Sequence, residues 1–269
     1  MKYHWKNQLR DQIINWLPTP QFTGARALCF HDIQDKAAFE KRMIWLKKNF
    51  SVVSLKDCFT PPTKKIKVAI TFDDGFVSWV TNAAPILEKH HLPATFFTNS
   101  GLVGLTGTAM ENYFKINCYR TESYLKAISI PQLQSLAQHP LFTIGGHTKD
   151  HFLFTKQTNE KTLRTQIIED KNALEKMTNT KLNYFAYPFG QLIHAAPSVQ
   201  KIVAEANYNN AFTIVPGPIN SQSNPFTIPR DSLELHQSEK TWYKWLHGTY
   251  DQLVSQKVKL YQRLNRRYR

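Results

Sequence analysis

Short β-rich runs recur along this chain between longer segments of helical periodicity, and that alternation limits the fold more than any other feature. ARALCFHDI (25–33) is followed by DKAAFEKRMIWLKKNF (35–50) and SVVSL (51–55), then KVAITFDD (67–74) by VSWVTNAAPILEKHH (77–91) and ATFFTN (94–99). A loop-rich insert runs from Gly101 to about Ile130. Beyond it come FTIGGHT (142–148), the helical NEKTLRTQIIEDKNALEKM (159–177), NYFAYPFG (183–190), a helix near 197–208, and the runs NAFTIV (210–215) and FTIPR (226–230). Strands separated by helices pair in parallel beneath a helical cover. The pattern predicts an α/β fold, a distorted and incomplete (β/α) barrel of about seven strands, with its chemistry at the C-terminal strand ends. A doubly wound open sheet shares the same periodicity.

With 42% apolar and 13% aromatic residues among 269, the chain can bury a substantial core, which excludes a disordered class. Cys29, Cys58 and Cys118 are widely spaced and form no CxxC pair, so neither a disulfide scaffold nor a cysteine-built zinc site is expected. The N-terminal MKYHWKNQLRDQIINWL carries Lys2, Lys6, Arg10 and Asp11 and lacks the apolar run of a secretory signal. No stretch approaches the roughly 18–20 apolar residues that span a bilayer. The expected location is therefore cytoplasmic, with peripheral attachment at the inner membrane face as the alternative. We divide the chain into a helical extension (1–24), a barrel (25–236) and a C-terminal basic aromatic helix and tail (237–269).

The formal charge is +14, from 34 Lys+Arg against 20 Asp+Glu. Lys257, Lys259, Arg263, Arg266, Arg267 and Arg269 follow the last acid, Asp251. Such a block forms a solvated tail or, with Trp242, Trp245, Tyr250 and Tyr261 nearby, contacts an anionic membrane. The stripe Trp5, Leu9, Ile13 and Leu17 has helical spacing and is expected to dock on the barrel, with lipid as the alternative. No helix-turn-helix, zinc-finger or RNP-like pattern accompanies the charge, so nucleic acid is not expected as a partner.

Thr71-Phe72-Asp73-Asp74-Gly75 sets two carboxylates where an apolar run ends. Neighbouring strand side chains point to opposite faces, so one acid can hold a metal while the other moves protons; Asp-Gly is also a common turn dipeptide. Gly145-Gly146-His147-Thr148-Lys149-Asp150-His151 also follows an apolar run. Its two imidazoles share one face if the segment is helical, and an Asp with two His supplies the three ligands typical of a catalytic zinc-like site. Asn183 to Gly190 reads, on its own, as core and turn.

Together these segments resemble the NodB-homology polysaccharide deacetylases, carbohydrate esterase family four. That family carries TFDDG, H-(S/T)-x-x-H and R-x-P-(Y/F)-G motifs in this order on a distorted barrel. Here they stand as TFDDG (71–75), HTKDH (147–151) and FAYPFG (185–190), within a match spanning roughly Ala25 to Arg230. The FHDI segment (30–33) resembles the poly-N-acetylglucosamine deacetylase-like members.

The resemblance implies Asp73 as catalytic base and Asp74, His147 and His151 as metal ligands. The ion is zinc by default, with cobalt or nickel as alternatives. It also implies an oxyanion donor near Tyr187, for which the Tyr187 backbone N–H is the candidate. Ala186 stands where the family has an Arg that pairs with the base, and Arg230 could supply that cation from another strand end; the alternative is a surface ion pair with Asp231. The family's late Leu-x-His motif is displaced by one in Leu233-Glu234-Leu235-His236, which leaves His236 and His31 as the candidate catalytic histidines. The implied activity is N-deacetylation of an acetylated, lipid-linked or polymeric sugar of the cell envelope. An O-acetyl esterase or other amidase is the alternative enzyme, and a glycan-binding pseudoenzyme the alternative of another class.

Overall fold

The β-rich runs pair into one parallel sheet because nearly all their residues can be buried. The structure, a computed structural model, describes residues 2–220, 222–251 and 253–254, with 2–6 described by backbone alone. Its elements are α1 (Lys2–Trp16), β1 (Ala25–Phe30), α2 (Lys36–Asn49), β2 (Ser51–Val52), β3 (Lys67–Asp74), α3 (Ala84–His90), β4 (Ala94–Thr98), α4 (Gly107–Asn117), α5 (Ile130–Gln138), β5 (Phe142–Gly146), α6 (Glu160–Arg164), α7 (Asp170–Thr178), β6 (Tyr184–Ala186), α8 (Pro197–Glu205), β7 (Asn210–Phe212) and α9 (Glu239–Leu246). The sheet runs β1-β3-β4-β5-β6-β7, with β2 paired to the start of β3. It curls into the distorted, incomplete barrel that the alternation predicts.

All eight residues of β3 are buried, as expected for a parallel strand covered on both faces. Val68, Ile70 and Phe72 join the core under the helices, whereas Ala69 joins an inner cluster with Ala25, Ala27, Phe97, Ala186 and Phe212. The period of two puts Thr71 and Asp73 on that same inner face. The four alanines of that cluster, Ala25, Ala27, Ala69 and Ala186, leave room for the side chains at its mouth.

The run 226–230, predicted as a strand, makes isolated bridges. Ile228 N–H donates to Ala211 O on β7, and Asp231 N–H donates to Ala27 O on β1, so the segment links the two sheet edges. Pro229 lies between them and has no N–H with which to continue a ladder.

Capping residues account for several helix starts. Asp35 accepts Ala38 N–H at α2, and Ser129 and Gln132 form a reciprocal box at α5. The insert is partly helical, since it contains α4. The predicted helices 77–91 and 159–177 each include a π turn, at Trp79–Ala83 and Thr165–Glu169.

Two terminal expectations change. Trp242 and Trp245 are fully buried in the core and so are not membrane-facing aromatics; Trp242 stacks near Phe30, and Trp245 Nε1–H donates to Asp231 Oδ1 at 2.8 Å. On α1 the face turned to α9 carries Arg10, Ile14 and Asn15, while Leu9 and Ile13 of the predicted stripe are exposed. Polar partners select this face, because Asn15 Nδ2–H donates to Thr241 Oγ1 and Arg10 lies over the Trp245 ring. The Trp5 side chain, Tyr261 and the basic tail lie outside the described residues. Among the described residues no helix is long and apolar enough to cross a membrane.

Candidate active site

Strand β3 stays in register with β4 as far as Asp74–Thr98 and then turns sharply. Asp74 has φ 90 and Gly75 φ 103, and a Cβ at Gly75 would lie 2.6 Å from Thr98 Oγ1, so a side chain there is excluded twice over. The turn separates the two acids. Asp73 points into the barrel, and Asp74 points to the loop after β5.

Asp74 Oδ1 lies 3.5 Å from His147 Nε2 and 3.3 Å from His151 Nε2, and all three residues are buried. The other ring nitrogens face acceptors: His147 Nδ1 is 2.7 Å from Ala186 O, and His151 Nδ1 is 2.9 Å from Asn117 O. A carbonyl can only accept, so each Nδ1 carries a proton, and in the neutral ring the Nε2 facing Asp74 bears the lone pair a metal would use. Asp74 Oδ1 itself is buried without a hydrogen-bond donor. Tetrahedral coordination at about 2.0–2.1 Å separates neighbouring donors by roughly 3.3–3.4 Å, close to the spacings found here. The residues therefore fit a divalent ion.

The two histidines meet without a helix. Thr148 (φ 65) and His151 (φ 50) take left-handed backbone, and neighbouring elements pin the loop. Asn99 Nδ2–H donates to Thr148 O at 2.9 Å and also to His147 O, and Gly101 N–H donates to Lys149 O at 2.9 Å. Gln166, in the π turn, accepts Lys149 N–H on its carbonyl and Asp150 N–H on Oε1, both at 3.0 Å. Gly146 permits the close strand packing beneath, since a Cβ there would lie 2.1 Å from the Tyr208 hydroxyl.

Asp73 is held by a bidentate partner. Arg230 Nη1 and Nη2 each donate to one of its oxygens at 2.7 Å, Nη1 also reaches Thr71 Oγ1, and Nε donates to Thr213 O. Arg230 is fully buried, and Asp231 pairs with Arg26 instead. Ala186 is one of the small inner residues, and the guanidinium at Asp73 comes from the closing segment. Cys29 Sγ–H adds a donor to Asp73 Oδ2 at 3.2 Å. Burial acts to raise the Asp73 carboxyl, but Arg230, His147 and His31 outweigh it and hold its pKa below the usual carboxylate range. The Cys29 thiol is pushed well up, chiefly by burial, so it serves as a donor and not as a thiolate.

His31 stands exposed at the rim, where a ring nitrogen, Cys29 Sγ and an Asp73 oxygen lie within 4.8 Å of one another. His236 is not brought to this cluster. Its side chain is 75% exposed and lies 3.9 Å from Asp35 Oδ2, because the chain after Leu233 runs out toward the start of α2. The Tyr187 backbone N–H is not free for an oxyanion either, since it donates to Phe212 O at 3.0 Å, and the Tyr187 hydroxyl donates to Phe226 O. Asn99, Asn117 and Gln166 are positioning residues that no motif singled out, and Cys29, noted only for its spacing, is a fourth. Asn99 alone carried a local signal, a polar residue closing the apolar run ATFFTN at a strand end.

Residues 60–211 match the family model described as polysaccharide deacetylase. The chain belongs to the polysaccharide deacetylase family. The matched span holds Asp73, Asp74, His147 and His151 and ends before Arg230. The chain is 27% identical over 222 residues to a poly-beta-1,6-N-acetyl-D-glucosamine N-deacetylase of Staphylococcus aureus, covering 78% of this chain and 71% of that protein. In fold, this polysaccharide deacetylase family member is similar to IcaB from Ammonifex degensii, with TM-score 0.66, 20% identity, and 86% and 100% of the two chains covered. It is likewise similar to the Streptococcus pyogenes deacetylase PplD in complex with acetate, with TM-score 0.67, 18% identity, and 84% and 99% covered.

Proposed function

We propose that this chain is a divalent-metal-dependent N-deacetylase acting on an N-acetylated sugar polymer or its precursor, with a chain of N-acetylglucosamine as the favoured class. The observation that carries this reading is the pairing, at one mouth, of a buried three-donor set with an orphaned carboxylate oxygen and a second carboxylate fixed by Arg230. The name of the Staphylococcus aureus relative supports the substrate class.

Asp74, His147 and His151 would hold a divalent ion, whose Lewis acidity would be available to the acetamide carbonyl. Asp73, ionised and oriented by Arg230, accepts a proton from the water that adds to that carbonyl. His31, at the rim beside Asp73, is the residue we assign to protonating the departing amine. The C–N bond breaks, and acetate and a free amino sugar leave.

Equal release of acetate and free amine from N-acetylglucosamine oligomers by the zinc-loaded protein, slowed by about 10²–10⁴ in Asp73→Asn, is the expected result. Acetate from O-acetylated sugars alone would replace this reading with an esterase. Glycan binding without any acetate would replace it with a binding protein.

A further inference from the structure

An aromatic row leads outward from the three-donor cluster, and the steps proposed above leave its outer member unassigned. Phe189, in the turn after β6, has its ring centroid 4.7 Å from that of His151 and meets it edge-on at 67°. Tyr119, in the insert just beyond α4, lies 5.7 Å from Phe189 with the rings inclined at 41°. Tyr119 is 69% exposed, whereas His151 is buried, so the row climbs from the floor of the site to open solvent. The outer ring is tied to the floor twice. Asn117, two residues before Tyr119, supplies the carbonyl that holds His151 Nδ1, and Phe189 bridges the remaining gap.

An exposed tyrosine on a loop is ordinary, but this one extends a continuous apolar surface that begins at a metal-ligand candidate. A pyranose offers just such a surface a matching partner, since its axial C–H groups form an apolar face while its hydroxyls point outward to water. Ligand sites commonly combine aromatic walls with a few polar groups that fix orientation, and a rigid ring gives contact area at little entropic cost.

We propose that Tyr119, braced by Phe189, is the platform for a sugar ring adjacent to the one whose acetamide reaches the donor cluster, so that the site reads an oligosaccharide and not a single sugar. This rests on the N-deacetylase reading for the identity of the sugar. Binding energy from such a remote ring strengthens the bound substrate and its transition state equally, so it is read in affinity and KM. Tyr119 is on this account a specificity-determining residue, and its contribution grows with the number of sugars in the ligand.

Calorimetric titration of zinc-loaded Asp73→Asn protein, which holds ligand without turning it over, tests this with β-1,6-linked N-acetylglucosamine as monomer and tetramer. The tetramer is expected to bind more tightly than the monomer. Tyr119→Ala should remove about tenfold of that advantage, Tyr119→Trp should retain it, and monomer affinity should be equal in all three proteins. In the otherwise native enzyme, Tyr119→Ala should raise KM for the tetramer and leave kcat unchanged. A tetramer advantage untouched by Tyr119→Ala, an equal loss for monomer and tetramer, or no binding of any sugar would overturn the proposal. Tyr119-dependent tetramer binding by a native chain that releases no acetate would leave the platform standing and overturn the deacetylase reading instead.

Discussion

Arg230 donates to both oxygens of Asp73 and Cys29 donates to one of them, yet a carboxylate has about four acceptor sites. One therefore remains for a water. Asp73→Asn keeps the shape and removes the proton acceptor, so kcat for acetate release should fall by about 10²–10⁴ while metal content, measured by elemental analysis, stays at the wild-type value. Arg230→Ala leaves a buried carboxylate without its partner and should cost about 3–5 kcal/mol in urea unfolding, again with the metal retained. Asp74→Ala and His147→Ala should lose the ion. A chelator should then lower the melting temperature of the wild type and leave both variants unmoved, because an ion that binds only the folded state stabilises it by mass action. The acids and histidines were readable as polar residues at the ends of apolar runs. The engagement of the Tyr187 N–H was not, since it depends on how β6 lies against β7.

The helix 159–177 could be read from its periodicity, but the π turn at Thr165–Glu169 could not, because one added residue in a turn hardly disturbs an apolar repeat. That turn gives the helix its role in the site. It presents Gln166 to the loop between the two histidines, where the side chain also donates to Asp150 Oδ2 at 2.8 Å. Gln166→Ala should weaken metal binding by about 10–100-fold, the usual effect of removing a group that orients ligands. Competition with a chromophoric chelator measures it, and unchanged affinity would mean that the loop holds its shape without Gln166. Likewise α4 lay within a segment read as loop-rich, yet its last residue orients His151.

A buried network joins the two ends of the chain to the closure of the sheet. Arg26 on β1 pairs with Asp231 and with Asp251 beyond α9, and Trp245 donates to Asp231. Burial pushes the Asp231 carboxyl up to about 6 from 3.8, against the opposing pull of Arg26 and Trp245. A raised carboxyl binds its proton more readily in the folded state, so its contribution is full below pH 3.8 and is lost as pH rises through about 6. Relative to Asp231→Asn, the wild type should therefore lose roughly 2 kcal/mol of unfolding free energy between pH 4 and 7. Urea titrations across that range check it, and a difference independent of pH would show that Arg26 keeps Asp231 ionised throughout.

Strand and helix alternation, the two carboxylates after KVAITF and the histidine pair after FTIGG are properties of neighbouring residues, and local periodicity was enough to read them. The sources of the guanidinium at Asp73 and of the carbonyls that hold His147 and His151, the face α1 buries and the remoteness of His236 involve partners far apart in the chain. Arg230 and Asp73 are separated by 157 positions. Arg230 could be nominated from its place after a β-rich run, but the pair exists because Pro229 interrupts the ladder and the closing segment carries Arg230 into the interior, over the ring of Phe97. No local pattern encodes that, since the space for a side chain is set by the elements packed around it and not by its neighbours in sequence.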